Sequence, residues 1–190
     1  MNAAVLFLTM LAVVGTPGAV GACQVIMPDD PGGQPNTIIF DGCNLHIRDG
    51  SGDTACPPHT GCNGLGNLIV GYNEGADLPR AGSHNLVVGP YHSFTSFGGF
   101  VAGRKNTISA PGASVSGGEF NTASGMCSAV SGGFGSRATG DASWVGGGFD
   151  NLAANGAAAV MGGAHTTASG VLSVVGGGVG HDARDVGDGE

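Results

Sequence analysis

The chain has 190 residues and a net charge of −8, from 6 Lys+Arg against 14 Asp+Glu. That balance argues against nucleic acid as a partner, because phosphate binding needs a basic surface, and against anionic lipid surfaces. Glycine fills 39 positions and 41% of residues are hydrophobic, which is too apolar for a disordered chain; glycine also lacks the every-third-residue spacing of collagen.

Ala3 to Val14 is nearly unbroken apolar sequence. It is too short for a bilayer span, which takes ~20 residues. Thr16, Pro17 and Gly18 interrupt it, and the small residues Gly21 and Ala22 follow. This predicts a secretory signal peptide over 1–22 with cleavage after Ala22; a buried first strand is the alternative. Val20-Gly21-Ala22-Cys23 also looks like a bacterial lipobox, which makes Cys23 the candidate for lipidation and the expected route to a membrane.

Residues 23–65 read as an N-terminal cap with a first irregular rung at Leu45-His46-Ile47 and a Cys-containing insert. Export permits disulfides. With Cys23 lipidated, Cys56 and Cys62 are the expected pair, because they flank a Pro-rich turn. The competing reading is zinc held by Cys43, Cys56, His59 and Cys62, which an exported chain disfavours. Cys127 lies inside a repeat at a column otherwise held by Gly112, Ala142, Ala157 and Leu172, as a small packing residue or a free thiol.

From residue 66 to 183 the chain repeats. Gly117-Gly118, Gly132-Gly133, Gly147-Gly148, Gly162-Gly163 and Gly177-Gly178 are 15 residues apart. Val115, Val130, Val145, Val160 and Val175 keep the same step and form the expected core ladder; Ala123, Ala138, Ala153, Ala168 and Ala183 do likewise. Such a period is the signature of a solenoid. Fifteen residues at ~3.3 Å each suit two short strands and two turns, with rungs stacked ~4.8 Å apart. Upstream, Phe100-Val101-Ala102-Gly103 aligns with Val115-Ser116-Gly117-Gly118, preceded by Leu86-Val87-Val88-Gly89 and Leu68-Ile69-Val70-Gly71, with Glu74 to Arg80 as an insertion. Val, Ala and the first glycine of each pair are the expected inward columns, better filled upstream. Asn106, Asn121, Asn151 and Thr166 share a column where side-chain ladders can form. Residues 184–190 form a short acidic tail.

The units Asn121-Thr122-Ala123-Ser124-Gly125, Ser128-Ala129-Val130-Ser131-Gly132-Gly133 and Asn67-Leu68-Ile69-Val70-Gly71 resemble the YadA-like head repeats of trimeric autotransporter adhesins, over roughly Gly66 to Gly178. The resemblance implies an all-β, left-handed parallel β-roll, three such rolls packed in parallel, and attachment to host matrix or other surfaces. One departure is that the family's second inward aliphatic is replaced here by Gly117, Gly132, Gly147, Gly162 and Gly177.

No catalytic, cofactor or metal residues are assigned, and no cofactor is expected. Gly132-Gly133-Phe134-Gly135-Ser136-Arg137 departs from the calcium β-roll motif at Arg137, and only Asp150 falls near a suitable place. Gly64-Leu65-Gly66 lacks the rest of a dinucleotide fingerprint. Glu119, Asp141 and Asp150 are poorly placed for a glycosidase pair. His92, His165 and His181 are assigned to one solvated turn column. The thin core and the outward Trp144, Met161 and Val174 predict a homo-oligomer, and the resemblance to YadA-like heads favours a trimer. The expected function is a non-enzymatic, adhesin-like head, secreted or at a bacterial cell surface or outer membrane, with a host matrix protein or glycan as partner. The alternative is a purely structural fibre or spacer element.

Overall fold

The computed structural model describes residues 24–26, 39–41, 44–56 and 61–184. The signal segment, Cys23, Cys43, His59 and the tail beyond Arg184 lie outside the described residues. The first of two units, ending at His46, contains β1 (Gln24–Ile26) and β2 (Ile39–Asp41), paired antiparallel with Gln24 opposite Asp41.

The second unit is an all-β parallel solenoid, with no helix among the described residues. Its larger sheet has eight strands: β3 (Leu68–Val70), β4 (Leu86–Val88), β6 (Phe100–Ala102), β8 (Ser114–Val115), β10 (Ala129–Val130), β12 (Trp144–Val145), β14 (Ala159–Val160) and β16 (Val174–Val175). The second sheet has seven: β5 (Ser93–Phe94), β7 (Thr107–Ile108), β9 (Thr122–Ala123), β11 (Arg137–Ala138), β13 (Leu152–Ala153), β15 (Thr167–Ala168) and β17 (Asp182–Ala183). A third line of parallel bridges joins Arg104, Glu119, Phe134, Phe149, Ala164 and Val179 at the corner between them. Alternation makes each strand half-buried: Val130 is fully buried while its neighbour Ala129 is partly exposed. The three-residue strands β3, β4 and β6 each run into a glycine, Gly71, Gly89 and Gly103, and no strand of either sheet exceeds three residues. Leu45, His46 and Ile47 form no strand; the stack begins at Leu68.

Register corrects the upstream alignment. Val101, not Phe100, pairs with Val115, so Phe100 lies beside Ser114 on the outer face. A one-residue slip exchanges inside for outside at every position. The early rungs advance by 14 residues (Leu86 to Phe100 to Ser114) and the later ones by 15. The corner positions Arg104 and Glu119, in contrast, pair with a step of 15. The extra residue therefore enters between Val115 and Glu119, and it is the first glycine of the pair. A Cβ added at Gly117, Gly132 or Gly162 would meet nothing within 4 Å. These glycines are not an inward column. The second glycine is the confined one: a Cβ on Gly118 would lie 2.1 Å from the carbonyl oxygen of Gly133, and φ there is +77°.

The third inward column is polar instead. Asn106, Asn121, Ser136, Asn151 and Thr166 are all fully buried. Each Asn amide donates to the carbonyl four residues back and to one in the next rung, as Asn121 does to Gly117 (3.2 Å) and Gly133 (2.9 Å). Its Oδ1 accepts the next rung's backbone N–H: Ser136 N–H donates to Asn121 at 2.9 Å. This column closes the corner, where buried backbone groups would otherwise lack partners. His92 heads the same column, with Asn106 N–H donating to its Nδ1 at 3.2 Å. The apolar filling thins along the second sheet, from Phe94 through Ile108 to Ala123, Ala138, Ala153 and Ala168. The first sheet holds Val from Val87 to Val175.

Candidate functional site

Three surfaces emerge from this arrangement. The outer face of the eight-stranded sheet carries no charged residue along its two outward columns, which run from Leu68 to Val174 and from Val70 to Gly176. Leu68 is 44% exposed, Met161 59% and Val174 61%. Trp144 lies on the same face, where its indole N–H donates to Ser131 Oγ at 3.0 Å.

A second surface is the corner between the sheets. Tyr91, Lys105, Phe120, Asp150 and His165 occupy one column there with φ between 48° and 61°. That left-handed backbone turns their side chains outward at every rung. Phe120, Phe134 and Phe149 form an aromatic ridge with centroids 5.4 and 5.5 Å apart, continued by His165 at 5.2 Å. Phe134 and Phe149 are stacked and the flanking contacts are edge-on, so the ridge contributes some stability while its rings stay exposed. The ammonium of Lys105 lies 4.6 Å from the Phe120 ring centroid, and the Arg104 guanidinium 5.9 Å from that of Tyr91. Arg104 also pairs with Glu119.

A third surface is the insertion from Glu74 to Arg80, which packs against the second sheet. Phe94 N–H and Ser93 Oγ both donate to Pro79 O at 3.0 Å, and Arg80 donates to the carbonyls of His92 (3.1 Å), Asn73 (2.6 Å) and Glu74. Between this wall and the corner column opens a cleft of about 430 Å³, lined by Asp77, Leu78, Tyr91, Lys105, Thr107 and Phe120 among others. That volume lies in the range of small-ligand sites, ~300–1,000 Å³. Its only sequence signal is the break in the repeat at Glu74 to Arg80.

The remaining singled-out residues are dispersed. Cys56 and Cys62 are bonded as a disulfide, Cα atoms 4.6 Å apart, which removes two members of the zinc alternative; Cys43 and His59 lie outside the described residues. Cys127 is free and exposed, on a second left-handed corner column with Ala142, Ala157 and Leu172. The three histidines do not share a column. His92 and His181 align with Asn106 and Thr166, whereas His165 falls one residue earlier, paired with Asp150 at 3.2 Å. His92 is not solvated but 1% exposed. Burial pushes its imidazole below the ordinary value, against the ring's hydrogen bond to Val88 O, which acts the other way. Asp141 accepts the backbone N–H of Met126 at 2.8 Å. Among the described residues no cluster of His, Cys, Asp or Glu is placed to hold a metal ion.

The fold and these faces define the class: a parallel β-solenoid repeat protein. Comparison with protein-family models, curated proteins and solved structures finds no match.

Proposed function

We propose that this protein is a non-enzymatic, exported attachment module, an adhesin-like head whose solenoid displays binding surface on a homo-oligomer, with three parallel copies favoured. The supporting observation is the uncharged outer face of the eight-stranded sheet. Seven rung steps at ~4.8 Å give it a length of about 34 Å. An uncharged and mostly apolar strip of that extent, broken by Ser114, Ser116 and Ser131, beside a polar second sheet is suited to burial between copies. Packing through this face leaves the insert cleft and the aromatic ridge on the outside. The resemblance of the repeats to YadA-like heads supports the same arrangement, and it points to a host matrix protein or glycan as partner. Secretion or display at a bacterial surface, with Cys23 as a lipid anchor, follows from the N-terminal segment.

The test is twofold. Light scattering at micromolar concentration is expected to give a trimer, and Trp144→Glu with Val174→Glu to give monomers of unchanged circular dichroism. Immobilised matrix proteins and glycans are expected to retain the purified oligomer. A monomeric native protein retained by no surface would leave a structural fibre or spacer element as the better reading.

A further inference from the structure

We infer that the cleft beside the Glu74 to Arg80 insertion is a binding site for a saccharide unit bearing a carboxylate. The inference begins with Lys105, the only lysine in the chain. Its ammonium is held over Phe120 at the cleft wall, and no carboxylate lies within ion-pair distance of it among the described residues. An ammonium has three donors. Here they border a cleft with apolar walls from Leu78, Tyr91 and Phe120, where a charge-assisted hydrogen bond counts for more than in open water.

The other lining groups select the rest of the ligand. Asp77 and the Thr107 hydroxyl stand in the same cleft. Asp77 cannot receive a carboxylate, but it accepts hydrogens from hydroxyls, and Thr107 both donates and accepts. A carboxylated sugar ring supplies all three complements: an anion for Lys105, hydroxyls for Asp77 and Thr107, and C–H faces for the aromatic walls. A fatty acid would leave Asp77 and Thr107 unmatched, and a neutral sugar would leave Lys105 so.

The site is also held in shape. Lys105 and Phe120 are fixed outward by left-handed corners, φ 53° and 59°. The insertion is anchored by the Arg80 guanidinium and by Pro79. Gly75, at φ +87°, approaches so closely that a Cβ there would lie 2.9 Å from Leu78 and 3.2 Å from Tyr91. A wall pinned this way keeps its geometry without ligand, which lowers the ordering cost of binding.

This inference deepens the attachment reading and rests on it for its biological sense. The experiment is a titration of the intact purified protein, followed by NMR, with methyl glucuronide, the methyl glycoside of N-acetylneuraminic acid, and methyl glucoside as neutral control. One or both acidic sugars are expected to bind, shifting resonances of Thr107 and Phe120, and to bind more weakly as salt rises. Lys105→Met keeps the stem over Phe120 and is expected to weaken binding about tenfold or more, the loss of a charge-assisted hydrogen bond. Asp77→Asn, on the exposed insertion, is the second variant and is expected to weaken it too. Equal binding of methyl glucoside, or binding unaffected by Lys105→Met, overturns the inference. Retention on immobilised surfaces without binding of either acidic sugar overturns this site and leaves attachment standing. Sugar binding without retention supports the site and counts against attachment.

Discussion

The backbone N–H of Asn106 donates to Nδ1 of His92 at 3.2 Å, while the other ring nitrogen of His92 donates to Val88 O at 3.0 Å. The imidazole thus does what Asn106 does one rung later, donating to a carbonyl four residues back and accepting an N–H from the next rung. Only the neutral ring can fill both roles, because protonation would set a second hydrogen against the Asn106 N–H.

This makes His92 a source of pH-dependent stability. Its folded value lies below 6.5, chiefly through burial, with Arg80 as the charged group acting on it. Below 6.5 the unfolded chain takes up a proton that the folded one refuses. The stability is therefore intact above 6.5 and is lost as pH falls beneath it, at up to about 1.4 kcal/mol per pH unit. His92→Asn supplies the ladder residue of the later rungs. Denaturant unfolding at several pH values is expected to show a flatter profile for that variant than for the native chain.

In the pairs Gly117-Gly118, Gly132-Gly133 and Gly162-Gly163 the two glycines are expected to respond oppositely to alanine. Gly118→Ala places a Cβ 2.1 Å from a backbone carbonyl in left-handed backbone, a cost of about 3 kcal/mol or more. Gly117→Ala meets open space and should be neutral or stabilising by about 0.5 kcal/mol, through the unfolded chain. Thermal melts of the two variants check the contrast.

Asn121→Ala removes the acceptor for Ser136 N–H and the donor to the Gly117 and Gly133 carbonyls. Buried groups left without partners cost ~1–3 kcal/mol each. A loss of about 3 kcal/mol is expected by denaturant titration. Asn121→Ser should lose less, because Ser136 holds the same column and its Oγ still accepts Asn151 N–H at 3.3 Å.

Ala142 and Ala157 have φ of 53° and 52°. Left-handed backbone costs a non-glycine residue ~1–2 kcal/mol, partly offset by the greater freedom glycine loses on folding. Ala142→Gly and Ala157→Gly are each expected to stabilise by about 0.5–1 kcal/mol, read as raised melting temperatures. Cys127 occupies the same column, so Cys127→Gly should do the same while removing the free thiol.

The sequence by itself determined the solenoid. Val115, Val130, Val145, Val160 and Val175 recur at one step because each rung hydrogen-bonds to a copy of itself, so a structural column becomes a periodic residue. The outward Trp144, Met161 and Val174 were legible for the same reason. Three things waited on the tertiary structure. The face of Phe100 depended on a register that shifts by one residue between 14- and 15-residue rungs, a difference composition cannot express. The burial of Asn106 and His92 depended on corner carbonyls that only a closed coil brings within hydrogen-bond reach. The insert cleft depended on Arg80 and Pro79 folding a non-repeating segment back onto the second sheet, and a segment with no periodic copy leaves no pattern from which its resting place can be read.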